Sequence, residues 1–341
     1  MSKPRTQEFA RLTGLLVVLA AFATAASAVT IPTVPVSNAG NTGDTEVMQQ
    51  DGTSGYGAVA YDYRIGTTEV TNAQYAEFLN AKAASDPLAL YHPGMGFFNG
   101  GITQSGSSGS YTYATIAGRA DKPVVFVSWY DAIRFANWLH NGQGSGDTET
   151  GAYTLLGGTP EPSNGLSITR NAGALWFLTS ENEWYKAAYH QNDGVTGNYF
   201  DYPTGSDTAP IAEPPVGGSN SANYGQVFDV LTDGGAYTAS DSSSGTFDQG
   251  GNVWEWNESL ILIDESSYRG LRGGAYYNSA NAVRSSYRYN DFPSNEFNDF
   301  GFRVATVPEP GTAVLGMIGC VLMLWWRRRR RRKNSWNSLD S

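Results

Sequence analysis

A chain of 341 residues with 22 Lys and Arg against 32 Asp and Glu carries a formal net charge of −10, a balance that argues against any surface built to neutralise nucleic-acid phosphates. Apolar residues reach only 40%, yet nine Trp, twenty Tyr and fifteen Phe supply large buried areas per side chain. Forty glycines point to turns and irregular loops rather than long helices, and the single cysteine, Cys320, excludes an internal disulfide.

In chain order, residues 1–28 read as a secretory signal peptide. Lys3, Arg5 and Arg11 precede an apolar run from Leu12 to Ala25, which ends in the small residues Ala26-Ser27-Ala28. The run is too short, and ends wrongly, for a membrane anchor. Residues 29–55 read as a linker or N-terminal extension, extended around Pro32 and Pro35. Gly57 to Ile65 alternates as a strand, with Val59, Tyr61 and Tyr63 on one face. Thr71-Asn72-Ala73-Gln74 is a capping box that opens a helix whose apolar stripe is Tyr75, Phe78, Leu79 and Ala83.

Residues 85–120 hold Pro87, Pro93 and a Gly-Ser tract, and are expected to form surface loops with a short hairpin. Tyr91, His92, Phe97 and Phe98 would cover the core edge there. Ser128 caps a second helix with Ala132, Ile133, Phe135, Ala136 and Leu139 as its buried stripe, and Ser180-Glu181-Asn182-Glu183 is a third cap. Residues 199–249 are long, polar and irregular. Gly250-Gly251-Asn252-Val253-Trp254-Glu255-Trp256 follows, and in a strand its two indoles share one face. Short strands and turns alternate from Leu271 to Val304.

The C-terminus carries Val307-Pro308-Glu309-Pro310, an apolar run from Gly311 to Trp326, then Arg327 to Arg332 and Lys333, before a polar tail over 334–341. The arginine block would hold at the cytoplasmic face of a membrane. Ten of the 22 basic residues but only three of the 32 acids lie in the two termini (1–28 and 307–341), which leaves the middle at net −17. Such a charge suits calcium, cationic ligands or plain solubility.

Gly-Asn-Val-Trp-Glu-Trp resembles the central signature of the formylglycine-generating enzyme (sulfatase-modifying factor) family. Four further pieces fall in the family's order: Arg64 to Tyr75, Pro123 to Ala132, Leu178 to Trp184, and Leu271-Arg272-Gly273-Gly274 with Gly301-Phe302-Arg303-Val304. The resemblance covers a domain over 56–306. It implies an irregular, loop-rich α+β fold of the C-type-lectin-like kind, with a few short helices and strands. The arrangement over 307–333 resembles a PEP-CTERM sorting signal. It implies an exosortase-type machinery as partner, membrane attachment through this segment, and a place in the cell envelope, at the cell surface or outside it after processing. A permanent single-span anchor is the alternative.

The family's oxidases carry a cysteine pair shortly after the Arg-Gly-Gly piece, and its thiolates bind copper(I). Here Asn278 and Val283 occupy those positions, so copper and the oxidase mechanism are not expected. Another branch of the fold uses non-haem iron and histidines, but His92, His140 and His190 are far apart in sequence. In the family one calcium lies at the signature turn, which carries over to Asn252, the Val253 carbonyl and Glu255. A second falls on Asn223 and Tyr224, with Asp233 as partner. The competing reading has Asn252 capping a turn and Glu255 paired with Arg272 or Arg303.

Tyr276, Tyr277, Asn278, Arg284, Tyr287 and Arg288 are expected to bind ligand, with Tyr289 beside them, since Tyr- and Asn-rich surfaces adapt well to sugars or peptides. The expectation is therefore a non-oxidase ligand-binding module for a peptide or glycan. The alternatives are a metal-dependent oxidoreductase acting on exported proteins and a structural envelope component.

Overall fold

The structure, a computed structural model, describes residues 28–228 and 230–307. The signal peptide, sorting motif, apolar run and arginine block read from the sequence lie outside the described residues. Among the described residues no helix is long and apolar enough to cross a membrane.

The N-terminal stretch read as a linker is part of the fold. Strand β1 (Thr33–Val36) pairs antiparallel with β2 (Tyr63–Gly66), with Val34 opposite Ile65. Its prolines suggested a linker, but β1 is the outer strand of its sheet, where a missing N–H is tolerated. β2 is shorter than the alternation from Gly57 predicts. Gly57 has φ +87° and lies against the Tyr199 ring, which ends extended pairing before Tyr63.

Helix α1 (Asn72–Lys82) starts at the predicted box: Thr71 accepts from Gln74 N–H, and the Gln74 side chain accepts from Thr71 N–H. Tyr75, Phe78 and Leu79 are buried beneath it. The loop region contains the expected hairpin, β3 (Ile102–Ser105) with β4 (Thr112–Thr115). Helix α2 (Trp129–His140) is buried on all sides from Trp129 to Leu139, so it runs through the centre rather than along a face. Its Arg134 is tied to Glu149 at 2.7 Å. Next come β5 (Trp176–Leu178) and α3 (Glu181–Tyr189), the latter capped by Ser180 with Glu183. The irregular segment contributes only the two-residue parallel pair β6 (Ile211–Ala212) and β7 (Ser221–Ala222).

The signature enters a ten-residue strand, β8 (Trp254–Ile263), which turns through Asp264-Glu265 into β9 (Ser266–Arg272). Both turn residues have positive φ, 46° and 66°, the backbone of a tight hairpin turn. β10 (Tyr289–Asp291), β11 (Phe300–Phe302) and β12 (Val304–Thr306) complete two four-stranded sheets, ordered β1-β2-β12-β5 and β10-β9-β8-β11. β11 runs parallel to β8, with Phe300 opposite Trp254. Consecutive strands β11 and β12 lie in different sheets, and only Arg303 separates them. Aromatic contacts among Tyr75, Phe78, Phe135, Trp138 and Phe302 join α1, α2 and β11 into one core. Three short helices among short strands and long loops make this an α+β domain.

Candidate functional site

The signature turn is shaped by close backbone approach. Gly251 has φ +90°, and a Cβ there would meet the Asn223 carbonyl oxygen at 2.2 Å. Only glycine fits. Gly251 N–H donates to Gly273 O (2.9 Å) and Asn252 N–H to Asn223 O (2.8 Å), so the turn is pinned to the Arg-Gly-Gly piece and to the irregular segment.

Beyond the turn Glu255 is fully buried and both of its oxygens are engaged. Arg303 donates through Nε to Oε2 at 2.5 Å and through its other nitrogen to Oε1 at 2.6 Å, and Trp184 Nε1 donates to Oε2 at 2.7 Å. Asn252 Oδ1 accepts from Thr232 N–H at 3.0 Å, and its Nδ2 donates to Glu69 at 3.1 Å.

Of the six residues nominated for calcium, the structure brings Asn223 and Asn252 together at the turn and engages the others in separate contacts. Glu255 is held by Arg303, Val253 is sealed in the core, and Asp233, more than half exposed, pairs with Lys122 at 3.1 Å. Tyr224 donates its hydroxyl to Pro210 O, and Asn223 Nδ2 reaches Asn252 Oδ1 at 3.4 Å. The geometry follows the competing reading, in which Asn252 staples a turn and Glu255 pairs with Arg303. Two oxygens here, Glu69 Oε2 and Asn223 Oδ1, are buried without a protein donor. Burial, then the charges of Asp248 and Glu255, push Glu69 well above the usual carboxyl range.

The cavity lies on the other side of Trp254. It encloses about 410 Å³ between the start of β8, the segment after Gly274, β10 and the residues leading into β11. Trp254 meets the Tyr289 ring at 5.2 Å with planes 34° apart, and the Tyr287 ring at 6.0 Å and 36°. In the same lining Tyr277 donates its hydroxyl to Asp299 Oδ2 at 2.6 Å, and Trp254 N–H donates to the Asp299 carbonyl at 2.8 Å. Burial, then the bond to Asp299, raises the Tyr277 hydroxyl far above its ordinary value. Burial likewise raises Asp299, against the Tyr277 bond that lowers it.

Of the residues nominated for ligand, the structure brings Tyr277, Asn278 and Tyr287 to this cavity, with Tyr289. Tyr276 is buried beneath Tyr277, edge-on at 5.1 Å. The two arginines do structural work elsewhere: Arg284 pairs with Asp201 at 2.9 Å, and Arg288 with Glu181 at 2.5 Å and Asp51 at 2.7 Å. Asn278 Oδ1 accepts from Ala275 N–H at 2.8 Å, whereas Val283 is fully buried against Ala222 and Tyr224. The two positions aligned with the copper cysteines thus hold a turn-bonded amide and a core aliphatic.

Sequence reasoning did not assign Trp254, which is buried in the core cluster, to a ligand cavity as well, and passed over Asp291 and residues 297–300. The available signal was Phe297-Asn298-Asp299-Phe300, an aromatic and acidic run directly before Gly301-Phe302-Arg303. The histidines are local fasteners. His92, His140 and His190 accept through Nδ1 from the N–H groups of Gly94, Leu175 and Asn192, each at 3.0 Å. Among the described residues no group of three His, Cys, Asp or Glu converges to hold a metal ion.

Comparison with known proteins accords with this architecture. Treponema denticola variable protein 1 superposes with a TM-score of 0.52 at 20% identity, over 83% of this chain and 97% of that one. CarF superposes at 0.51 with 22% identity, over 82% and 99%. Both likenesses are of fold, the C-type-lectin-like arrangement. The hercynine oxygenase of Mycolicibacterium thermoresistibile is 25% identical over 283 residues, covering 75% of this chain and 53% of its own length. The chain thus spans about half of that relative. The family model of the sulfatase-modifying factor enzyme 1-like domain matches residues 22–307, from before β1 to the end of β12, and the chain belongs to that family.

Proposed function

We propose that this chain is a ligand-binding member of its family, taking a peptide or glycan at the Trp254 cavity without oxidising cysteine. The supporting observation is the cavity itself: inclined aromatic faces and polar groups line about 410 Å³ beside Asn278, one of the two positions where the resemblance would place the copper cysteines. Neither Asn278 at the cavity nor Val283 in the core behind it offers a soft ligand. The terminal signals complete the proposal, with export directed by residues 1–28 and envelope retention or release through exosortase by 307–333.

The likeness to a hercynine oxygenase keeps a second reading in view, a metal-dependent oxidoreductase on the same scaffold. The dispersed histidines supply no ligand set for it among the described residues. Peptide and glycan arrays probed with the purified protein, in parallel with Trp254→Ala, test the first reading. Binding that disappears in the variant is expected, and binding indifferent to Trp254 would overturn it. Oxygen consumption with stoichiometric bound iron or copper would replace it with the second.

A further inference from the structure

We propose that the Trp254 cavity recognises an alkylammonium cation, carried either by a small quaternary amine or by a lysine side chain on a peptide. The inference rests on the ligand-binding reading above and names the chemistry of the ligand. Trp254, Tyr287 and Tyr289 all line the cavity, and the two tyrosine planes are inclined 36° and 34° to the indole rather than stacked on it. Ring faces carry the negative lobe of the aromatic quadrupole and attract a cation that approaches them with little water.

Asp291 and Asp299 line the same cavity, and no Lys, Arg or His lines it. Glu69 and Asp299 are the two buried acids with no ion pair among the described residues, and of these only Asp299 lines the cavity. The buried carboxylates Glu181, Glu183 and Glu255 each meet an arginine at 2.5–2.6 Å. Among the described residues neither Asp291 nor Asp299 has such a partner, although Asp299 is only 4% exposed. A carboxylate taken from water is costly unless a positive charge compensates it, and burial has already raised Asp299. A cation seated against Trp254 supplies that charge.

The same features disfavour a bare metal ion. One long wall is carbon, and Asp291 Oδ1 already accepts from Phe292 N–H at 2.8 Å and Asn295 Nδ2 at 2.6 Å. An organic cation needs no complete oxygen shell, only a face and a counter-charge. The exposed Phe297 and Tyr289 at the mouth would cover its alkyl part.

The test titrates the purified protein by calorimetry with choline and its neutral isostere 3,3-dimethylbutan-1-ol, and with a lysyl peptide and its norleucine counterpart. At least one cation is expected to bind about tenfold or more tighter than its neutral partner. That preference should collapse in Asp299→Asn and weaken in Asp291→Asn, which leaves the Tyr277 hydrogen bond untouched. A preference confined to choline assigns a small-molecule source, and one confined to the lysyl peptide a protein source. Neutral partners binding as well as cations would overturn the inference. So would silence from all four probes. In either case, Trp254-dependent binding on the arrays would leave the ligand-binding reading standing.

Discussion

Glu255 and Arg303 are both fully buried, and each charge is tolerable only because the other is in place. Replacing Glu255 with Gln removes the ion-pair partner that meets Arg303 at 2.5 Å and leaves the guanidinium buried without it. The expected loss is ~3–5 kcal/mol of unfolding free energy, read from the urea midpoint. A loss below ~1 kcal/mol would show that the pair is dispensable.

A second residue-scale prediction concerns pH. Glu296 lies beside Asp131 with one oxygen buried and undonated. Burial, then the charge of Asp131 and a hydrogen bond with it, push Glu296 up to about 9. Asp131 is pushed up to about 6 by burial, against Ser128 and Arg134. A carboxyl raised on folding contributes stability that is fully present below its unfolded value and is lost as pH rises through the folded one. The melting temperature should therefore fall as pH climbs from the ordinary carboxyl range toward 9. Glu296→Gln, which fixes the neutral form, should flatten that slope, and parallel slopes in the two proteins would refute the shared proton.

At the scale of elements, the helices were legible and most strands were not, for one physical reason. A helix N-terminus is decided by residues three apart, so Thr71/Gln74, Ser128/Asp131 and Ser180/Glu183 announce themselves, and all three boxes form. Ser180→Ala should cost about 1 kcal/mol in chemical denaturation. Arg170 holds Glu183 independently at 2.6 Å, so most of that cost should be the lost cap alone. A cost near zero would mean that Arg170 and the packing of Trp184 position α3 unaided.

Strand pairing is decided by partners far along the chain. Nothing near Asp264-Glu265 signals a tight turn, since neither residue is Gly or Asn, yet β8 and β9 meet there. Nothing near Asp299 says that the parallel pairing of β11 with β8 will set it beside Trp254. Tyr277, Asn278 and Tyr287 were found because they cluster in sequence after Gly273-Gly274. The acid and the indole beside them come from distant segments.

At the scale of the molecule, the last two strands tie the sheets together. β11 ends one sheet and β12 lies inside the other, and Arg303 between them reaches Glu255, Gly66 O and Phe247 O. That makes the β1-β2-β12-β5 sheet a support for the one that carries the cavity wall, and β1 its outer brace. The N-terminal segment is fastened along its length. Val29 N–H donates to the Gln143 side chain at 2.6 Å, Gln74 Nε2 reaches Thr30 O at 3.1 Å, and Arg64 donates to Thr33 Oγ1 at 2.9 Å. Val36 is 2% exposed. At about 1 kcal/mol net for each lost hydrogen bond, removing residues 29–37 should cost a few kcal/mol, a large share of a domain's usual margin. Matched urea unfolding of the protein with and without these residues decides the matter. A shifted midpoint makes β1 part of the domain, because its loss also bares the edge of β2. An unchanged midpoint would return the segment to a linker that merely rests on the sheet.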